Sequence, residues 1–165
     1  MSLLKLRTNL VEKIKDFGNS FHPVLKKPLE ELNLPFKNTN HSLSRVLSID
    51  DNKICQTINV NYLQKFGCYV ECVHSARSAL EKLTLPYKVI LLDINLPDCS
   101  TKMLINLIRS DERNVNQTVP IVLTSSWLSE TFKKNYLVLG VDEIYIKPMK
   151  EKDFKKILQN CGVIT

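Results

Sequence analysis

Between Arg45 and Asn160 the chain alternates five times between short aliphatic or β-branched runs and longer stretches of helical period, and this constrains its fold more than any other feature. Runs at 45–49, 68–72, 89–93, 119–124 and 143–146 have the length and residue types of strands. The run from Val89 is apolar up to Asp93, as expected of a strand buried on both faces. In the intervening stretches Ile54, Ile58, Tyr62 and Phe66 share one helical face, and Gly67 ends that helix. Ser75 caps a second helix through Leu83, which Pro86 stops. Met103, Leu104, Leu107 and Ile108 mark a third helix, and Leu128, Phe132, Tyr136 and Leu139 a fourth, stopped by Gly140. Residues 151–159 form the last.

Strict alternation implies a parallel sheet with helices on both faces, because parallel neighbours need a crossover element between them. For five such units the expected strand order is 2-1-3-4-5, a flavodoxin-like arrangement. Ligands in sheets of this kind bind at the carboxyl ends of the strands, where the order reverses between the first and third.

The first 43 residues have a different texture. Leu3, Leu6, Leu10, Ile14 and Phe17 recur at three- and four-residue intervals, after which Gly18, Pro23, Pro28 and Pro35 interrupt. An N-terminal helical extension and linker is expected over 1–43, and the α/β domain over 44–165. The apolar face of that helix could dock on its own domain, bind a partner or pair two copies into a homodimer. Glu12 and Asp16 among its lysines argue against a membrane-surface role.

Composition narrows the function classes. No apolar run reaches the roughly 18 residues that cross a bilayer, and no secretory signal opens the chain, so a cytoplasmic location is expected. Five cysteines without a C-x-x-C pair suggest neither disulfides nor a zinc knuckle, and they read as reduced, mostly buried thiols. Cys72 and His74 are too few to make a metal site, and His22, His41 and His74 fit no helical phosphotransfer motif. The net charge of +6 divides evenly: seven basic and four acidic residues precede Arg45, sixteen and thirteen follow from it. The lysines from Lys147 to Lys156 read as a solvated helix face, and no nucleic-acid partner is expected.

The strand ends carry the chemistry. Asp50 and Asp51 follow the first strand and Asp93 ends the third, so three carboxylates about forty residues apart are expected to meet. Crowded carboxylates repel unless a cation offsets them, and oxygen-only ligands in a small acidic site suit Mg²⁺. Thr124, Ser125 and Ser126 lie past the fourth strand and Lys147 past the fifth, where Pro148 biases it away from helix. An acidic cluster with one lysine and one hydroxyl is what phosphoryl transfer to a carboxylate requires. Taken singly, Asp50 and Asp51 could be helix caps, Asp93 a turn former and Lys147-Pro148 a loop; their joint placement is what those readings leave unexplained.

Four segments, Val46-Leu-Ser-Ile-Asp-Asp-Asn52, Val89-Ile-Leu-Leu-Asp-Ile-Asn-Leu-Pro97, Val119-Pro-Ile-Val-Leu-Thr-Ser125 and Gly140-Val-Asp-Glu-Ile-Tyr-Ile-Lys-Pro148, occur in an order and spacing that resembles receiver domains of two-component signalling, above all those of hybrid sensor kinases. The resemblance implies Asp93 as phosphoacceptor, Asp50 and Asp51 as metal ligands, the backbone carbonyl of Asn95 as a further ligand, and Lys147 as a phosphate contact. Within it, Ser125 is favoured as the switch hydroxyl because it lies 22 residues before Lys147, with Thr124 the alternative. Strand geometry puts these neighbours on opposite faces, so only one of the two serves. Two positions depart from the family. Thr101 stands where a glycine usually follows the phosphoacceptor by eight residues, and Ile144 stands where a switch aromatic usually precedes the lysine by three, with Tyr145 next door facing the other way.

The function expected is that of a phosphoacceptor, not an enzyme beyond its own phosphorylation. It would take phosphate from a histidine kinase or histidine phosphotransfer protein and change its contacts with a downstream protein target. With no effector domain after Thr165, output is expected by protein contact or through the N-terminal segment. One alternative is a receiver-fold scaffold that binds regardless of phosphate. An aspartyl-nucleophile phosphatase is disfavoured, because Asn95 stands where such enzymes want a second aspartate.

Overall fold

The computed structural model describes residues 43–112 and 114–165. The N-terminal helix expected from Leu3 to Phe17, and the connector after it, lie outside the described residues. Within them, β1 (Arg45–Ile49), β2 (Tyr69–Val73), β3 (Val89–Asp93), β4 (Ile121–Ser125) and β5 (Glu143–Ile146) alternate with α1 (Lys53–Lys65), α2 (Ala76–Lys82), α3 (Thr101–Ser110), α4 (Glu130–Leu137) and α5 (Glu151–Asn160). All strand pairs are parallel and the order is β2-β1-β3-β4-β5, the arrangement expected from the alternation.

Short polar side chains set where the helices start. Asn52, Ser75, Ser100 and Ser129 each hold extended backbone while a side-chain oxygen accepts a first-turn N–H, which ends the extended segment and satisfies donors that a helix start leaves open. Gly67, at φ 78°, follows α1 in the left-handed region where glycine alone carries no side-chain penalty. Gly140, at φ 89°, lets the Arg109 guanidinium close in: it donates to the Gly140 carbonyl at 2.9 and 2.7 Å and to those of Gln117 and Val119 at 2.7 and 2.8 Å.

Alternating strand residues build two cores. Leu47, Ile49, Ile90, Leu92, Ile121 and Leu123 face α2, α3 and α4, whereas Val46, Val89, Leu91 and Val122 face α1 and α5. Helix faces are less faithful to the aliphatic stripes. Ile54 is 72% exposed, and the residues of α1 buried against the sheet are Gln56, Asn59 and Leu63. Two of these are polar because they carry hydrogen bonds inward: Gln56 Nε2 donates to the Asp50 and Val73 carbonyls at 2.7 and 2.9 Å, and Asn59 Nδ2 to Ser48 Oγ at 3.0 Å. Met103 likewise points outward while Leu104, Ile105 and Ile108 are buried. The thiols also differ from expectation: Cys68 is buried and the other four are half-buried.

Candidate functional site at the carboxyl rim of the sheet

The three aspartates converge at the rim. One carboxylate oxygen from each of Asp50, Asp51 and Asp93 lies within 4.8 Å of the others, with Asp50 and Asp93 buried and Asp51 exposed. None of them caps α1, since Asn52 Oδ1 takes the Ile54 and Cys55 N–H groups at 2.9 and 3.2 Å. Asp50 is instead turned inward, accepting from the Asn52 N–H at 2.9 Å on one oxygen and from Lys147 Nζ at 2.7 Å on the other. The same ammonium lies 3.0 Å from Asp93 Oδ1. Lys147 arrives there from the end of β5, followed by a cis bond to Pro148.

Asp50 and Asp93 thus share one lysine with a third acid, Asp51, beside them. Burial pushes the Asp93 carboxyl above its ordinary range, and the hydrogen bond and charge of Lys147 do not bring it back. Burial lowers the Lys147 ammonium, but its hydrogen bonds to Asp50 and Asp93 outweigh that and hold it above its usual value. Such a cluster accommodates a further positive charge. Its all-oxygen donors suit a hard cation, and the exposed Asp51 leaves one side open to water.

An open cleft of about 560 Å³ sits over these groups, lined by Asp51, Asp93, Asn95, Thr124, Ser126 and Lys147 among others. The two candidate hydroxyls part company here. Thr124 pairs in register with Asp93, and parallel partners present side chains on the same face, so Thr124 borders the cleft. Ser125 is on the opposite face, its hydroxyl donating to the Trp127 carbonyl at 2.6 Å and accepting from the Trp127 N–H at 3.2 Å. The pleat separates the β5 pair in the same way. Ile144 packs with the α3 and α4 core, while Tyr145 packs on the other side and donates to Glu143 Oε2 at 2.7 Å.

Two contributors were not legible as such in the sequence. Gln56 ties the Asp50 carbonyl to the end of β2, and the only hint was a polar residue on the inner side of an otherwise ordinary helix. Thr101, 2% exposed, donates its hydroxyl to the Ile94 carbonyl at 2.6 Å and the Asp93 carbonyl at 3.1 Å. Its signal was the departure from glycine, which flagged the position without revealing the bonds.

A doubly wound parallel sheet whose carboxyl rim gathers three carboxylates and a lysine defines a module suited to holding a cation and an oxyanion against an aspartate. The chain belongs to the response regulator receiver domain family, whose sequence pattern matches residues 46–159. It is 33% identical over 127 residues to hybrid signal transduction histidine kinase L of Dictyostelium discoideum, covering 73% of this chain and 7% of that kinase. Among solved structures, the receiver domain of sensor histidine kinase PA1611 from Pseudomonas aeruginosa, with a magnesium ion coordinated in its active-site cleft, superposes with a TM-score of 0.66 at 27% identity, covering 73% of this chain and 99% of that one. The chemotaxis response regulator CheY4 of Vibrio cholerae shares the fold, with a TM-score of 0.67 at 24% identity over 73% of this chain and 99% of its own. The chain therefore carries a receiver domain of two-component signalling, and it spans less than a tenth of the Dictyostelium kinase.

Proposed function

We propose that Asp93 is the phosphoacceptor of this receiver and that Asp50, Asp51 and Asp93, with the backbone carbonyl of Asn95, hold Mg²⁺. The observation that carries this is the single ammonium of Lys147 shared between Asp50 and Asp93, at 2.7 and 3.0 Å, in a cluster with one acid more. The magnesium in the cleft of the PA1611 receiver supports the choice of ion. Bound there, Mg²⁺ supplies positive charge that offsets the acids and the oxygens of a transferring phosphoryl group.

In the step itself a carboxylate oxygen of Asp93 attacks phosphorus, and the bond from phosphorus to the donor breaks. The leaving group departs with the electron pair: a histidine imidazole, which then takes up a proton, or acetate when the donor is acetyl phosphate. Lys147 stays close enough to Asp93 to meet a phosphoryl oxygen, and Thr124 offers a hydroxyl from the same face. Ser125 serves only after giving up its two bonds to Trp127, so its use would be coupled to movement of that loop.

The donor is a histidine kinase or histidine phosphotransfer protein, and phosphorylation switches contacts with a downstream protein. The domain runs from 44 to 165, with residues 1–43 as an extension that could pair two copies. Among the described residues no helix is long and apolar enough to cross a membrane, and a cytoplasmic setting is part of the same proposal.

Incubation with acetyl phosphate and Mg²⁺ should add one phosphoryl group to the wild type and none to Asp93→Asn; equal labelling of both would remove the assignment. Ile144, packed as an aliphatic core residue where the family usually has an aromatic, favours one competing reading, a scaffold indifferent to phosphate. Under that reading beryllofluoride, a phosphate mimic, leaves the affinity for a protein partner unchanged. Under the switch reading it changes that affinity.

A further inference from the structure

We infer that Thr101 is a positioning residue for phosphoryl transfer, one that aims the Asn95 N–H at the oxygens arriving on Asp93. The inference rests on Asp93 being the phosphoacceptor and adds a residue that this chain has in place of the family's usual glycine. Thr101 is the first residue of α3, directly after the Ser100 cap, yet its side chain is buried and turned back towards the end of β3. A hydroxyl has one proton to donate. At 2.6 Å the Ile94 carbonyl takes the main share of it, and the Asp93 carbonyl at 3.1 Å takes the lesser.

Ile94 lies just beyond β3, where its N–H still reaches the Thr124 carbonyl at 3.0 Å but its own carbonyl has left the ladder. Among the described residues no backbone N–H outside the helices and strands donates to that carbonyl, so the threonine hydroxyl is what fixes its direction. The Ile94 C=O and the Asn95 N–H belong to one planar peptide unit, and in a trans unit they point in opposite directions. The only cis bond among the described residues is Lys147–Pro148, so the unit between Ile94 and Asn95 is trans. Holding the carbonyl towards Thr101 therefore sends the N–H away from α3. Asn95 borders the same cleft as Asp93, Thr124 and Lys147, where a fixed N–H becomes a pre-set donor to a phosphoryl oxygen. A glycine at this position has no hydroxyl with which to set that plane.

The test compares wild type with Thr101→Val, which keeps the shape and deletes the hydroxyl, and Thr101→Ser, which restores it. Each is phosphorylated by acetyl phosphate across a Mg²⁺ titration, with thermal unfolding as the check on folding. The Val variant should show a rate at saturating Mg²⁺ lower by about tenfold, below the 10²–10³ for outright loss of an oxyanion donor because the N–H is misaimed and not removed. Its Mg²⁺ half-saturation should stay within about threefold, since the three carboxylates are untouched and the Asn95 carbonyl belongs to the next peptide unit, not the one Thr101 holds. The Ser variant should regain most of the rate. In the ¹⁵N spectrum the Asn95 amide should shift downfield on addition of beryllofluoride in wild type and Ser, and stay in place in Val.

A Val variant as fast as wild type, a Ser variant as slow as Val, or a Mg²⁺ half-saturation that worsens as much as the rate would each overturn the role of Thr101 while leaving Asp93 as acceptor. Asp93→Asn, run alongside, reports on the acceptor itself. Labelling of that variant at the wild-type level would take both assignments down.

Discussion

Two places in this domain bury carboxylates against cations, and they are balanced in opposite ways. At the outer edge of the sheet Glu71 of β2 accepts from Arg45 and from the Tyr87 hydroxyl at 2.6 Å on one oxygen, and pairs with Lys82 at 3.2 Å on the other. Burial raises the Glu71 carboxyl, but the hydrogen bonds from Tyr87, Arg45 and Lys82 together bring it below its ordinary range. At the rim Asp50 and Asp93 share Lys147 with Asp51 beside them, and burial leaves the Asp93 carboxyl above its range despite that lysine. One acid with several donors is a finished structural joint. Three acids with one ammonium form a cluster still short of positive charge, and that shortfall is what a cation and an incoming phosphoryl group can use.

The largest effect expected from this contrast is a double dissociation. Asp93→Asn should lose all labelling by acetyl phosphate, yet make the Mg²⁺-free protein more stable, by about 1–2 kcal/mol in denaturant unfolding, because burial works against the charge of that carboxylate. Glu71→Gln should keep its labelling and lose about 1–2 kcal/mol; Arg45 and Lys82 are partly exposed, which moderates the loss. A destabilised Asp93→Asn would break the comparison.

Next in size is the response to the ion. Mg²⁺ at about 100 times its dissociation constant should stabilise the wild type by about 2.7 kcal/mol, through mass action on the folded state. In Asp51→Asn the same concentration should give much less, whereas Glu71→Gln should respond as wild type does. Equal Mg²⁺ shifts in Asp51→Asn and wild type would remove that carboxylate from the ligand set.

Acid titration of stability separates the two regions by sign. The Glu71 carboxyl sits lower in the folded chain than in the unfolded one, so its contribution is present above the ordinary carboxylate range and lost as pH falls through the folded value. Asp93 runs the other way: its folded value is raised, so its contribution is fullest below the ordinary range and is lost as pH rises through the folded value. Relative to wild type, Glu71→Gln should therefore lose its stability deficit on acidification, and Asp93→Asn should lose its advantage. Parallel pH profiles for all three proteins would contradict both shifts.

The smallest effect is optical. Trp127, the single tryptophan, is 63% exposed and meets the Phe132 ring edge-on at 5.9 Å, and its backbone holds the Ser125 hydroxyl. If Ser125 is the switch hydroxyl, beryllofluoride with Mg²⁺ should change Trp127 emission by roughly a tenth or more, in keeping with a loop moving between two conformers. Ser125→Ala should abolish the change and Thr124→Val should not. The reverse pattern assigns the hydroxyl to Thr124.

Much of this was legible in the chain. The five alternations carried the sheet order, and the positions of Asp50, Asp51, Asp93 and Lys147 after their strands brought them to one rim, because strand direction in a parallel sheet places every such end together. The start of α2 was equally local, since Ser75 caps through an N–H three residues away. The inner face of α1 was not, because Gln56 and Asn59 are buried by hydrogen bonds to strands that an aliphatic stripe does not report.

Sequence by itself determined the alternation, the parallel order and the acids at the rim, since these follow from periodicity and from which residues end each run. Tertiary structure alone decided which hydroxyl borders the cleft, that Thr101 bonds back to the Ile94 carbonyl, and that Glu71 is fully neutralised by residues 26, 16 and 11 positions away. Those outcomes depend on strand register and loop path, where a shift of one residue reverses the face of every side chain. Such choices are made by packing and hydrogen bonds between distant segments, and no local pattern encodes them.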